Sequence, residues 1–336
     1  MKGFILFLLF TCPVQITFAT ESTGNDVIKI IESILAKPDA NIDLAKTKLT
    51  IDKLVDPSIN INAAMGKINQ MVKTLKRDLN PDMMPLDKAL SLSSFLYESG
   101  YWNNYKPFQY DLDDPFGQKL NNKLISTYLN TKKGNCISMP ILYAILAEKL
   151  GLDVTLSTAP LHVFVKFKDP TSGKYFNIET TDKGQPASND FYHTKSLITD
   201  IAIQNGVYLQ PLTKKQTVAV MAMVLNGSFE KQGKWQHSID LAKLLLKVYP
   251  RYAYAMIKVG NGYSRLLNIE ISKAKIKGSY TSEEKQHMDH LYQQNIQWFA
   301  KAEKLGWHLS TQEENDNYLN AIKKRQALLT KTTQGK

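Results

Sequence analysis

Between Lys133 and Glu179 the chain changes its hydrophobic period, and few folds accommodate that order of patterns. The run Lys133-Gly134-Asn135-Cys136-Ile137-Ser138-Met139-Pro140 leads into a largely apolar stretch over 141–150, which Gly151 closes. Pro140 suits a first helical turn, where its missing amide has no helical partner anyway. Gly151 suits a C-terminal stop. The spacing therefore predicts a buried helix with Cys136 at or just before its positive end, a location that favours a thiolate. Three short β runs follow at 154–157, 161–167 and 175–179, with the turn Asp169-Pro170-Thr171-Ser172-Gly173 between the last two. A chain ordered in this way is α+β, with a cysteine helix packed on a small antiparallel sheet.

Parity makes the hairpin testable. His162 and Glu179 share a face only if the loop between the last two strands has an even number of residues. A four-residue loop, with Lys168 opposite Gly173, places His162 directly opposite Glu179.

The flanks are helical. Val27, Ile30, Ile31, Ile34 and Leu35 recur at helical spacing, as do Met65, Ile68, Met71, Val72 and Leu75. After the break at 80–85 a helix is expected over 86–96. A loop rich in aromatics and acids comes next, and a helix over 120–129 enters the cysteine loop. Asp111, Asp113 and Asp114 lack the turn glycine and closing glutamate of a calcium loop, so an ordinary solvated loop is expected there. From about Thr213 the chain is helical again and repeats itself. Leu225-Asn226 and Phe229 recur as Val259-Gly260 and Tyr263, a spacing of 34 that is the period of the tetratricopeptide helix pair. A partial further unit ends in Trp298, Ala302 and Leu305, and the competing reading is a generic helical bundle. The expected division is a leader at 1–19, a helical segment at 20–84, a core at 85–210 and helical repeats at 211–330.

Residues 1–19 combine Lys2, an apolar run from Phe4 to Phe10 and small residues ending at Ala19, the pattern of a cleaved export signal. Pro13 and Gln15 interrupt the run, which falls short of the roughly 20 residues of a spanning helix. Cys12 lacks the small neighbour that a lipid-accepting cysteine needs. Cleavage near Ala19 leaves about 317 residues, a net charge of +10 and one cysteine, Cys136, with no partner for a disulfide in the molecule. In a periplasmic or secreted protein, scattered lysines suit anionic envelope polymers, lipid headgroups or acidic proteins better than nucleic acid, and a membrane surface is not required.

The chemistry follows from three residues. A cysteine nucleophile needs a base to take its proton and a third group to hold that base in one tautomer. Cys136, His162 in Ala159-Pro160-Leu161-His162-Val163-Phe164-Val165, and Glu179 in Tyr175-Phe176-Asn177-Ile178-Glu179-Thr180-Thr181 fill these roles in order. The Cys136 amide is the first candidate oxyanion donor, and Trp102 or Asn135 offers a second by side chain. His287 and His290 lie three apart on a helix with no third ligand near, so neither a metal nor another cofactor is expected. Asn226-Gly227-Ser228 matches a glycosylation acceptor but falls in a helix.

The stretch 134–140, with Leu142-Tyr143, Ala147-Glu148, Leu150-Gly151, residues 159–165 and residues 177–181, resembles the bacterial SirB-type transglutaminase-like family. Many members of that family join this domain to tetratricopeptide repeats. The resemblance implies a papain-like core in which a cysteine on a helix faces a histidine and an acid on adjacent strands. It carries the nucleophile to Cys136, the base to His162 and the acid to Glu179, where transglutaminases usually have aspartate. Some SirB-type members lack the cysteine. Three activities stay open: an exported cysteine hydrolase, peptidase or amidase, whose repeats bind a protein or peptide; a non-catalytic envelope scaffold; and an amine-crosslinking transglutaminase.

Overall fold

A computed structural model describes residues 23–80, 82–320 and 323. The export signal, its cleavage near Ala19 and Cys12 lie outside the described residues. Three helices open the chain: α1 (Gly24–Leu35), α2 (Leu44–Val55) and α3 (Ile61–Asp78). Each starts on a side chain that accepts from its first-turn amides, Thr23 in a capping box with Asp26, then Asp43 and Asn60. Helix α4 (Pro85–Tyr97) begins on a proline, as a first turn allows.

The acidic loop differs from the expected solvated one. Asp111 and Asp114 are buried, and Asn122 Nδ2 donates to both, at 2.8 and 2.9 Å. Asp114 also accepts from the amides of Gln118 and Lys119. Two residues of this loop form β1 (Gln109–Tyr110), parallel to β2 (Lys133–Gly134), which fixes the approach to Cys136. The expected helix over 120–129 is split into a 3-10 turn, Leu120–Lys123, and α5 (Ile125–Thr131). The cause lies in α2: the buried Asp52 carboxylate caps the Ile125 amide at 2.7 Å, and the buried Lys48 ammonium takes the Lys123 carbonyl at 2.9 Å.

Helix α6 (Ser138–Lys149) starts three residues earlier than the apolar run suggested and is buried from Ser138 through Ala147. It ends before Gly151, whose φ of +74° is the left-handed conformation that glycine adopts freely. An antiparallel meander follows, of β3 (Val154–Ala159), β4 (His162–Lys168), β5 (Tyr175–Glu179) and β6 (Gln185–Ala187). The last strand has no counterpart in the hydrophobic pattern, being short and exposed, with Pro186 at the edge of the sheet. Val163, Val165 and Phe167 pack with α6 in the main core. Phe164, on the opposite face, packs with Tyr192, Ile198 and Ala202 from the short helices α7 (Asn189–Lys195) and α8 (Asp200–Gln204) and the segment between them.

Four longer helices close the chain: α9 (Lys214–Lys231), α10 (Trp235–Val248), α11 (Ala253–Lys277) and α12 (Ser282–Lys304), each packed on the next. Small residues set their approach. A Cβ at Gly262 would stand 2.5 Å from Ile239, and one at Gly260 would stand 2.8 Å from the Phe299 ring. Asn226 binds Ser238 on the helix after its own, and the Gly260 carbonyl likewise accepts from Asn295. Asn226 is fully buried in these bonds. Helices α1 and α2 lie against α9 and α10, so both helical ends of the chain share one core with α6. Among the described residues no helix is long and apolar enough to cross a membrane.

Candidate active site

Cys136 stands in the turn that starts α6, and the turn is built by its neighbours. Asn135 Oδ1 accepts from the amides of Ile137 (3.0 Å) and Ser138 (3.3 Å), while Ser138 Oγ accepts from the Asn135 amide and donates to the Asn122 carbonyl at 2.6 Å. The amides on either side of Cys136 are thus bound to side chains of the same turn, and the Cys136 N–H donates to none of them. The half-buried thiol points at the Leu161 carbonyl, 3.7 Å away.

Leu161 forms, with Pro160, the two-residue loop between β3 and β4. Its φ of +53° is a left-handed conformation that costs a non-glycine residue on the order of 1 kcal/mol. The same twist aims the carbonyl at the sulfur and leaves the leucine side chain 70% exposed beside it. Backbone strain stored next to a reactive group is a common mark of a functional site.

His162 follows at once. Its Nε2 lies 2.7 Å from Glu179 Oε2, so Nδ1 is the nitrogen left for the cysteine. The register that achieves this is not the expected one. Lys168 pairs with Tyr175, the loop has six residues, 169–174, and the residue opposite Glu179 in the observed register is Phe164. Six is still even, so His162 and Glu179 share a face and meet diagonally across the hairpin. Asp169 explains the longer loop: its carboxylate binds the Ser172 amide and hydroxyl, and its carbonyl takes the Gly173 amide.

Glu179 is buried, and both of its oxygens are filled. Oε1 accepts from the Thr181 amide (2.8 Å) and hydroxyl (2.7 Å), and Oε2 accepts from Tyr192 (2.9 Å) as well as His162. Tyr192 is itself locked by stacking on Phe164 at a centroid distance of 3.9 Å. Burial pushes the Glu179 carboxyl up, but the His162 charge and the bonds from His162 and Thr181 outweigh it and bring it to about 2. Burial likewise pushes the His162 imidazole down, but the Glu179 charge, a hydrogen bond with Cys136 and the charge on that sulfur raise it to about 10. At neutral pH His162 is therefore an imidazolium held between a carboxylate and a sulfur.

His162 and Glu179 thus bond to each other, and the Cys136 sulfur lies 3.7 Å from the carbonyl of Leu161, the residue before His162. Trp102 gives its indole N–H to the Phe95 carbonyl at 3.0 Å and is a packing residue. Asn135 serves as the cap of the cysteine turn, and its Nδ2, buried against Gly117, has no hydrogen-bond partner among the described residues. Tyr192, 13 residues beyond Glu179, and the Leu161 carbonyl carry no spacing signal that could have revealed them. Thr181 lay within the motif but was not assigned a role. Two strand positions beyond Phe164, the buried Lys166 donates to Asn177 at 2.6 Å, and burial lowers its ammonium to about 8. Among the described residues no three His, Cys, Asp or Glu side chains converge to hold a metal.

No curated protein matches the chain. Residues 62–222, the stretch that contains Cys136, His162 and Glu179, match the family model of the transglutaminase-like superfamily.

Proposed function

We propose that this protein is a cysteine hydrolase that cleaves an amide bond through Cys136, His162 and Glu179. One observation carries the reading: His162 holds its Nε2 on a fully bonded Glu179 carboxylate while its remaining nitrogen serves Cys136. In the first half-reaction the sulfur attacks the substrate carbonyl carbon, and the oxygen takes the negative charge. The Cys136 amide, at the start of α6, is the donor suited to that oxygen. The C–N bond then breaks, the amine leaves with the proton from His162 Nδ1, and a thioester remains on Cys136. Water next attacks the thioester and gives a proton back to His162; the C–S bond breaks and the acid is released. Glu179 stays ionised throughout and keeps the imidazole in one orientation.

Hydrolysis is favoured over amine crosslinking because water needs no second binding site. In the resting arrangement the Cys136 sulfur lies 3.7 Å from the Leu161 carbonyl, a position that substrate takes over. We further propose that the protein is exported, that it is SirB-type, and that α9 to α12 act as tetratricopeptide-like helix pairs that present a protein or peptide partner. The recurrence of 34 residues and the like placement of Asn226 and Gly260 against following helices support the last point.

Mass spectrometry of the mature protein mixed with a panel of activated esters and peptide amides tests the reading. A hydroxylamine-sensitive acyl adduct on Cys136, absent in His162→Ala, is expected, with release of free acid. Stable incorporation of a labelled amine in place of free acid would assign the protein to crosslinking. No adduct with any donor, and none on Cys136 in particular, would leave the scaffold reading.

A further inference from the structure

Leu161 combines three properties: it is a leucine with 70% of its surface exposed, its φ of +53° is a conformation that glycine or asparagine adopts at less cost, and its carbonyl lies 3.7 Å from the Cys136 sulfur. A single exposed leucine is ordinary on a protein surface. One held in left-handed backbone beside a nucleophile is not, and packing within the fold does not account for it, since little of the side chain is buried. The loop it shares with Pro160 joins Ala159 to His162, which pair directly across the β3–β4 hairpin, so the two strands fix its position. Carbonyl and side chain leave the same Cα, so the leucine Cβ stands no farther than roughly 7 Å from the sulfur. A side chain of a molecule bonded to Cys136 is within reach of it. The apolar character continues past His162, whose ring lies 6.0 Å from that of Tyr192, and Tyr192 meets Phe191 edge-on at 5.3 Å. Phe191, on α7, is itself exposed, so a line of contacts runs from one exposed apolar side chain to another through the imidazole.

We propose that the acyl donor carries an apolar side chain beside its scissile amide, and that Leu161 is the residue that selects for it. The inference rests on Cys136 being the nucleophile and names the substrate class of that same site. Seating an apolar side chain there removes apolar surface of both partners from water, whereas a charged or amide side chain in the same place would lose water without gaining a hydrogen bond from the leucine. The occupant is the donor rather than a second copy of the chain, because the leucine lies within one side chain's length of the sulfur, where a bulky partner would shut the nucleophile off.

The test needs no natural substrate. Cys136 of the full chain is alkylated with iodoacetamide and with iodoacetanilide, which carries a phenyl ring on the same reactive group, and the ratio of the iodoacetanilide rate to the iodoacetamide rate is measured. Changes in the sulfur itself act on both reagents and cancel in the ratio. Leu161→Asn supplies a residue that accepts left-handed backbone and removes the apolar surface. Its ratio is expected to fall about fivefold, the factor that covering about 40 Å² of apolar surface supplies. Leu161→Met, apolar and of similar volume, is expected to hold the wild-type ratio; should the asparagine variant not fold, Leu161→Ser gives the same reading. A ratio unchanged by loss of the leucine would overturn the assignment. So would a wild-type chain that elutes as a dimer and becomes monomeric on Leu161→Asn, which would put a second copy over the leucine. Iodoacetamide labelling that ignores His162→Ala would instead overturn the Cys-His pairing, whatever the ratio shows.

Discussion

Replacing Glu179 by Gln keeps the shape of the side chain and removes its charge, and the four hydrogen bonds at this position make the consequence specific. Both Thr181 donors need an oxygen at the Oε1 position, so the amide nitrogen of the variant must turn toward His162 and Tyr192. His162 Nε2 then has to accept, so the ring gives up its Nε2 proton and the neutral imidazole keeps its proton on Nδ1, the nitrogen left for Cys136. In that tautomer the imidazole cannot take the thiol proton. With the carboxylate gone, burial acts on the imidazole without its main opponent, and its pKa falls from about 10. Alkylation of Cys136 by iodoacetamide near neutral pH is expected to slow about a hundredfold, the low end of what a positioned base contributes.

The variant is also expected to lose about 3 kcal/mol of stability, as for a broken buried pair. The loss depends on pH. Glu179 has its folded pKa lowered from 4.5 to about 2, so its contribution is complete above 4.5 and vanishes as pH falls through about 2. His162 has its folded pKa raised from 6.5 to about 10, so its contribution is complete below 6.5 and vanishes as pH rises through about 10. These are two ends of one ion pair, and the gap in denaturant midpoint between wild type and variant is widest from about pH 4.5 to 6.5. An alkylation profile unchanged by the substitution, with a stability gap that is flat in pH, would refute the reasoning.

Three further outcomes are expected. Tyr192→Phe removes one bond to Glu179 but keeps the stack on Phe164, so it costs about 1 kcal/mol in chemical denaturation. A Tyr192→Phe protein as stable as the wild type would show that the hydroxyl does not support the carboxylate. Leu161→Gly relieves the left-handed backbone, and thermal unfolding is expected to show a gain of about 0.5 to 1 kcal/mol, while the freed loop slows labelling of Cys136; a loss of stability would mean the leucine side chain packs. Asp52→Asn strands the buried Lys48 and weakens the cap on α5, with an expected loss of about 3 to 5 kcal/mol by urea unfolding.

The parts of the fold that show in the sequence are those with a strong period or an obligatory turn residue. The α6 run, Gly151 and the three longer strands are of this kind, and they sufficed to put His162 and Glu179 on one face of the sheet. Parity survived a wrong loop length because an even error moves a residue along a strand without changing its face. What stayed hidden depends on side chains distant in the chain. The split at Leu124 is imposed by Lys48 and Asp52, more than 70 residues earlier. The acidic loop is buried because Asn122 closes it, a contact that no composition reveals. Tyr192 reaches Glu179 only after β6 turns the chain back across the sheet, so nothing in its local sequence marks it. The side-chain oxyanion candidates have local roles that the sequence did not mark: Trp102 binds the Phe95 carbonyl of α4, and Asn135 Oδ1 caps the turn that follows it.

The charge state of His162 can be observed directly. Nuclear magnetic resonance of imidazole-labelled protein, with the His162 signal assigned by its absence from His162→Ala, follows the protonation of that ring against pH. The expected titration lies well above neutrality, near about 10, and moves down when Cys136 is replaced by Ala and further when Glu179 is replaced by Gln. A ring that titrates at the ordinary 6.5 and ignores both substitutions would contradict the Cys136-His162-Glu179 triad.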